Sequence, residues 1–193
     1  MNVVDVVARV RWAPVGAGGR VARCTSAWWE RTVAAREHRA PQVLVHALLE
    51  VVVDGAPRTV DMSPTWGKAV KQRHVITVGP VGSRILRWCP MFRYELRVVL
   101  EPDTSSEVLQ VSDDFELSGR VFEDLADVPA YTWGRDEGGA GEMWTSNSVV
   151  AWLLERSDVS PIEPPAGHRA PGWNAGALLA RSRPQQTTAH RPA

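Results

Sequence analysis

Four consecutive polar residues, Thr145, Ser146, Asn147 and Ser148, directly precede an apolar run that is typical of a helix. Each of their side chains is a good helix cap, so capping alone is one explanation of the cluster. The other explanation is catalytic, because a serine at a helix N-terminus lies in a positive field that stabilises negative charge developing on a substrate. Ser146 and Ser148 are therefore candidate nucleophiles.

A serine nucleophile needs a base, and the base needs a group that orients it. Among five histidines, His46 is distinctive because it lies inside the apolar run VLVHALLEV, where an imidazole is costly to bury without a partner. Asp61, in RTVDMSP, lies on the next expected strand, so its carboxylate can orient the ring and stabilise an imidazolium. Glu50 competes, but four residues along one strand place it about 13 Å away. The alternative is that His46 is an ordinary core histidine with a hydrogen-bond partner.

The elements that must position these residues follow from the apolar pattern. Residues 42–55 and 56–64 predict a hairpin that turns at Asp54-Gly55. Further strands are expected at 2–12, 74–80 and 92–100, the last with Phe92 on its apolar face. This succession of strands followed by helices favours an α+β fold, with helices packed on an antiparallel sheet.

Helices are expected at 26–36, at 112–129 and from Ser146 to Arg156, with Ser112 capping the second. Residues 130–142 are too rich in glycine for regular structure. Residues 161–176 predict a proline-ordered loop in which Trp173 fills the core, and residues 181–193 predict a disordered tail. The chain is thus expected to form one domain over residues 1–180.

The composition argues against several classes of protein. The 22 basic and 22 acidic residues leave no net charge, so the chain lacks the usual footprint of a nucleic-acid binder. Cys24 and Cys89 are far apart and are expected to be free buried thiols, and no pattern predicts a metal site or a cofactor. No apolar stretch approaches the roughly 20 residues of a membrane span. We expect a cytoplasmic protein with a small-molecule, peptide or lipid ligand, and the residues predict no oligomeric state.

The segments VHALLEVVVDGAPRTVDMSP and TSNSVVAWLL resemble the circularly permuted papain-like superfamily, which includes the lecithin:retinol acyltransferase-like proteins and related bacterial amidases and lipid hydrolases. In that superfamily a strand histidine is followed by a polar residue on the next strand, and a nucleophilic cysteine comes last at a helix N-terminus. The resemblance places His46, Asp61 and Ser146 at these three positions, over roughly residues 40 to 157.

The chain departs from the family at two places. Serine stands at position 146 instead of cysteine, and Thr145 stands where asparagine is common. Serine is the weaker nucleophile and depends more on its base. The resemblance therefore implies a serine-dependent hydrolase or acyltransferase acting on an amide or ester. The alternative is a catalytically inactive binding or interaction protein on the same scaffold.

Four further residues could hold an oxyanion or bind substrate: Asn147, Arg135, Arg84 and Trp144. The alternative for Arg84 is an ion pair with a protein acid such as Asp113. The 130–142 loop beside the helix start is either a solvated loop or a gate for substrate. The whole chain also resembles an uncharacterised actinobacterial protein family, through GPVGSR, GRDEGGAGEMWTSNS and RAPGW. That second resemblance implies no activity.

Overall fold

A computed structural model of the chain describes residues 6–15, 20–65, 72–100, 108–117, 119–159 and 162–182. Eight strands and four α-helices are present in these ranges. In chain order they are β1 (Val6–Pro14), α1 (Arg20–Arg36), β2 (Val43–Val53), β3 (Ala56–Pro64), β4 (Arg73–Pro80), β5 (Arg93–Val99), β6 (Gln110–Val111), β7 (Phe115–Leu117), α2 (Val121–Asp127), α3 (Ser146–Arg156), β8 (His168–Arg169) and α4 (Trp173–Ser182). Two 3₁₀ turns, Arg84–Trp88 and Pro90–Phe92, join β4 to β5.

The central sheet is antiparallel, with the strand order β4-β5-β3-β2-β1-β6. Strand β7 pairs with another part of β1, and β8 makes a short parallel pair with the start of β2. Helix α3 packs on β2 and β3 and is itself covered by α4. The α+β prediction, the antiparallel sheet and the 42–64 hairpin are confirmed. Within the described residues, no helix is long and apolar enough to cross a bilayer.

The two faces of the sheet differ in chemistry because successive side chains of a strand point to opposite sides. On β2, Val45, Ala47, Leu49 and Val51 are buried in the core that α3 completes. His46, between two of them, projects from the other face. The alternation on β3, β5 and β1 places further polar side chains on that face: Asp61, Arg97, Arg9 and Arg11. We call this side the polar face of the sheet.

The helix predicted over 112–129 is wrong in its first half. Phe115 to Leu117 form β7 along β1, and the helix is confined to Val121–Asp127. Ser112 does not cap it, because the Ser112 hydroxyl accepts a hydrogen bond from the Val10 N–H at 2.9 Å. The unpaired edge of β1 offers backbone hydrogen bonds that this segment uses instead of helical ones.

The expected loop at 161–176 and tail at 181–193 overlap a helix that the sequence pattern did not indicate. Helix α4 begins at Trp173 and continues through Ser182, and the rest of the predicted tail lies outside the described residues. Trp173 does pack on the core, with its ring 4.9 Å from that of Trp12.

Three smaller expectations also change. Helix α1 begins at Arg20, six residues before the predicted start. Phe92 lies in a 3₁₀ turn and is 39% exposed instead of continuing the apolar face of β5. Cys24 and Cys89 are free thiols as expected, but both are exposed rather than buried.

Candidate active site

The structure brings the three residues Ser146, His46 and Asp61 together. The Ser146 Oγ lies 2.7 Å from His46 Nδ1, and His46 Nε2 lies 3.5 Å from Asp61 Oδ1. The serine is the first residue of α3, whereas the histidine and the aspartate lie on β2 and β3. Ser146 is 5% exposed and the His46 side chain 26% exposed, so solvent reaches the site from the imidazole side.

Ser148 and Thr145 form the cap of α3. The Thr145 hydroxyl accepts from the Asn147 N–H at 3.2 Å, and the Ser148 hydroxyl accepts from the Thr145 N–H at 2.9 Å. This reciprocal pair is a capping box. The Ser148 hydroxyl also donates to the Gly172 carbonyl at 2.7 Å. Capping therefore explains Thr145 and Ser148, and it leaves the hydroxyl of Ser146 directed at His46.

Asn147 fixes the distance between the helix and the histidine strand. Its Oδ1 accepts from the Ala47 N–H at 2.8 Å, and its Nδ2 donates to the Val45 carbonyl at 3.0 Å. The pairing of β2 with β3 runs from the pair Val53 and Ala56 to the pair Leu49 and Val60 and does not reach His46. On either side of His46, the side-chain amide of Asn147 takes the place of β3 as the hydrogen-bond partner of β2. The start of α3 is thereby inserted where the two strands separate.

The proposed oxyanion role of Asn147 does not fit this arrangement. The second N–H of its side chain donates to the Pro171 carbonyl at 3.1 Å, so both amide hydrogens are used inside the protein. Its backbone N–H is bonded to Thr145. Within the described part of the chain, the Ser146 N–H has no acceptor, as is normal in a first helical turn. The Ser146 N–H is therefore the donor that remains for an oxyanion.

Asp61 is held as a carboxylate by its neighbours. Its Oδ2 accepts from Arg97 Nη2 at 2.9 Å and from the Ser63 hydroxyl, while Oδ1 faces His46. Burial alone would raise the pKa of Asp61, but the interactions with His46, the Ser63 hydrogen bond and the charge of Arg97 outweigh it and lower the pKa to about 2. A charged carboxylate thus faces the imidazole at neutral pH.

Glu50, the competing partner of His46, is engaged elsewhere on the polar face. Its carboxylate pairs with Arg9 at 2.9 Å and with Arg11 at 3.0 Å, both on β1. The strand spacing predicted that Asp61 and not Glu50 would lie beside His46, and the structure has this arrangement.

The remaining three candidates from the sequence make contacts away from Ser146. Arg135 Nε donates to the Gly82 carbonyl at 2.7 Å, and Arg84 pairs with Glu137 at 2.8 Å. These bonds join the 130–142 loop to the turn after β4. Trp144 is 2% exposed and packs edge-on against Tyr131, with 5.4 Å between ring centroids, so it belongs to the core and offers no surface to a substrate.

Two acids of the 130–142 loop, Asp136 and Glu137, bond to other residues of the same loop. Asp136 accepts from the backbone N–H groups of Ala140 and Gly141, and Glu137 accepts from both the N–H and the hydroxyl of Thr132. Burial raises the pKa of Glu137, but the Thr132 hydrogen bonds and Arg84 more than offset this effect, so its pKa is lowered. The loop is irregular, as predicted, yet its acids are used internally.

The segment from Pro171 to Gly176 supports the start of α3, and sequence reasoning missed this role. A side chain at Gly176 would place its Cβ 2.0 Å from the Ser148 carbonyl oxygen, and one at Gly172, where φ is +80°, would meet the Met143 carbonyl oxygen at 2.5 Å. The two backbones therefore approach more closely than any side chain permits. The short spacing of glycines in APGWNAG was the available signal.

The arrangement can move a proton along a defined line. With its Nε2–H directed at the Asp61 carboxylate, the neutral ring presents the lone pair of Nδ1 to the hydroxyl of Ser146.

Within the described residues, no cluster of three or more His, Cys, Asp or Glu side chains could hold a metal ion.

Comparison of the chain with protein-family models, curated proteins and solved structures gives no match.

Proposed function

We propose that the chain is a serine-dependent hydrolase or acyltransferase that cleaves or transfers the acyl group of an amide or ester. Ser146 is the nucleophile, His46 the general base, and Asp61 the residue that orients the imidazole. The observation that carries the proposal is the 2.7 Å separation of Ser146 Oγ and His46 Nδ1, with Asp61 on the far side of the ring.

The reaction begins when Ser146 Oγ attacks the acyl carbon and its proton passes to His46 Nδ1. The tetrahedral oxyanion is stabilised by the Ser146 N–H and the positive end of α3. When the bond to the leaving amine or alkoxide breaks, that group takes the proton from His46 and leaves an acyl ester on Ser146. Water or another hydroxyl or amine then gives its proton to His46 and attacks the ester. When the acyl bond to Ser146 breaks, His46 returns that proton to Ser146 Oγ, and the acid or the new ester or amide is released.

Asp61 contributes by staying ionised throughout. Because its pKa is lowered to about 2, it does not take the proton from the imidazolium at neutral pH, and its charge stabilises the protonated ring. Arg97 and Ser63 fix the second carboxylate oxygen, so Oδ1 is left to face His46.

We further propose that this is a circularly permuted papain-like scaffold with serine in place of cysteine. The feature that supports it is the chain order of histidine strand, aspartate strand and nucleophile helix, whose three residues meet in the fold. A cysteine can attack as a thiolate, whereas the serine hydroxyl must be deprotonated as it attacks. The activation of Ser146 therefore depends on His46.

The test is labelling of the purified chain with a fluorophosphonate probe, followed by mass spectrometry of the modified peptide. We expect a covalent adduct on Ser146 that is absent in Ser146→Ala and is reduced by at least about a hundredfold in His46→Gln. Ser148→Ala is the matched control, because it removes a hydroxyl that caps α3 and does not contact His46. A Ser148→Ala chain that is folded should still carry the adduct on Ser146.

Circular dichroism and thermal unfolding of each variant establish that it is folded. A folded wild-type chain that does not react with the probe, or that reacts equally well as Ser146→Ala, would contradict the proposal. In that case the chain is a catalytically inactive binding protein on the same scaffold.

A further inference from the structure

The 3₁₀ turns between β4 and β5 carry an unusual concentration of exposed apolar side chains. Ile85 is 84% exposed, Trp88 79% and Met91 67%, and Leu86 and Phe92 are each 39% exposed. None of the residues of the two turns is buried. Side chains of this size rarely cluster in water without a partner, so the cluster indicates an interaction surface. We call residues 84–93 the 3₁₀ surface.

The most exposed side chains of the 3₁₀ surface recur every third residue. A 3₁₀ helix has three residues per turn, so residues at i and i+3 lie one above the other. Ile85 and Trp88 therefore share one side of the first turn. Met91 is exposed in the second turn, which Cys89 separates from the first with an extended backbone (φ −90°, ψ 123°).

Basic residues are interspersed with the apolar residues of the 3₁₀ surface. They are Arg84, Arg87 and Arg93, and residues 81–94 contain no acidic residue. Arg84 is paired with Glu137, whereas Arg87 lies 5.5 Å from the Trp88 ring and Arg93 donates to backbone carbonyls of Arg87 and Trp88. The Trp88 ring that Arg87 contacts and the carbonyls to which Arg93 donates carry no net charge, so within the described residues both arginines keep their positive charge unneutralised.

The 3₁₀ surface is fixed at the end of the sheet where the candidate site lies. The Thr65 hydroxyl, two residues after Ser63, donates to the Pro90 carbonyl at 2.6 Å, and the Thr65 N–H donates to the Arg93 carbonyl at 3.0 Å. On the other side, Arg135 and Glu137 hold Gly82 and Arg84. The 3₁₀ surface is therefore held by polar contacts on both flanks.

We propose that the 3₁₀ surface docks the protein onto an anionic phospholipid surface. Ile85, Trp88 and Met91 enter the boundary between headgroups and acyl chains, and Arg87 and Arg93 contact the phosphates. A largely exposed tryptophan beside unneutralised arginines matches the layered chemistry of an anionic membrane surface. This binding is independent of the chemistry at Ser146.

The test is cosedimentation of the full chain with vesicles of phosphatidylcholine alone and of phosphatidylcholine containing one third phosphatidylserine. We expect binding to the anionic vesicles that weakens as salt is raised and is much weaker on the neutral ones. Trp88→Ser lowers the partition coefficient about tenfold because a largely exposed aromatic side chain no longer enters the boundary. Arg87→Gln lowers it about fivefold.

Trp28→Ser is the matched control for Trp88→Ser, since Trp28 is 70% exposed but lies on α1. It leaves vesicle binding unchanged. Equal loss of binding in the two tryptophan variants would show that general surface hydrophobicity is responsible and would overturn the proposal.

The two exposed cysteines give a second readout. An environment-sensitive dye on Cys89, in a Cys24→Ser chain, shifts to the blue when anionic vesicles are added, because Cys89 adjoins Trp88. The same dye on Cys24, in a Cys89→Ser chain, does not shift. If the chain binds no vesicles but Trp88→Ser changes its sedimentation from oligomer to monomer, the 3₁₀ surface is a protein interface and the lipid proposal is wrong.

Discussion

His46 connects the two halves of the candidate site, and its two ring nitrogens have different neighbours. Nε2 faces a carboxylate and Nδ1 faces a hydroxyl, so a neutral ring with its proton on Nε2 satisfies both contacts. The partner of Nε2 must remain ionised for this tautomer to persist. Arg97 and Ser63 secure that condition by stabilising the charge of Asp61.

Asp61 should make the folded state sensitive to acid. Its pKa is about 2 in the folded chain, below the ordinary value of 3.8, so the ionised carboxylate stabilises the fold above pH 4. This stabilisation is lost as the pH falls from 4 toward 2. Asparagine at position 61 does not titrate. The free energy of unfolding should therefore fall by about 2 kcal/mol less in Asp61→Asn than in the wild type when the pH is lowered from 6 to 2.

The measurement for this prediction is urea unfolding of both chains at a series of pH values. Glu116→Gln, which neutralises an exposed acid, should follow the wild-type pH dependence. If the free energy of unfolding depends on pH in the same way in the wild type and in Asp61→Asn, Asp61 is not stabilised as a carboxylate in the folded chain.

At the scale of elements, the start of α3 is held by the strand on one side and by the last helix on the other. Asn147 bonds to the backbone of β2 on either side of His46, while the Thr145 hydroxyl donates to the Pro171 carbonyl at 2.7 Å. The position of Ser146 thus depends on a segment more than twenty residues further along the chain.

Gly176 tests the contact between α3 and α4. Alanine is intrinsically the better helix former by about 1 kcal/mol, so propensity alone predicts that Gly176→Ala stabilises the protein. The structure predicts the opposite, because the new methyl group would lie 2.0 Å from the Ser148 carbonyl oxygen and must displace α4. We expect a net loss of about 1–3 kcal/mol in thermal or urea unfolding, together with slower labelling of Ser146.

Leu178→Ala is the control on the same helix, since Leu178 is 50% exposed and its truncation should have little effect. A Gly176→Ala protein that is as stable as the wild type would show that the backbones of α3 and α4 leave room for a methyl group at Gly176.

At the scale of the whole molecule, one buried carboxylate joins parts of the chain that are far apart in sequence. Glu30, on α1, is 2% exposed and accepts from Arg39 and from the Gln42 N–H, just before β2. Arg169, on β8, lies 3.5 Å from the same carboxylate and covers the ring of Trp29. Burial raises the pKa of Glu30, but the arginines and the Gln42 hydrogen bond offset this and leave it lowered.

Glu30→Ala should therefore destabilise the protein strongly, by about 3 kcal/mol, because it removes the buried carboxylate that accepts from Arg39 and from the Gln42 N–H. Glu37→Ala is the matched control. Glu37 contacts the same two arginines from the surface, so its removal should change the urea midpoint only slightly. Equal midpoints for the two variants would contradict a structural role for Glu30.

The sequence alone determined the features that depend on local pattern. Alternating apolar residues specify the hairpin that carries His46 and Asp61, because one face of each strand must be buried. The polar cluster before VVAWLL specifies where α3 begins, because its first N–H groups need caps. The spacing along β2 also favoured Asp61 over Glu50.

Only the tertiary structure decided the contacts of the individual side chains in and beside the polar cluster. Asn147 was expected to bind an oxyanion and instead bonds to the strand, and Trp144 was expected near a substrate and is in the core. Helix α4 and the strand at 115–117 were missed because their stability comes from partners far along the chain: the backbone of Ser148 and the edge of β1. A local pattern cannot register such contacts, since backbone hydrogen bonds and close packing between distant segments exist only once the chain has folded.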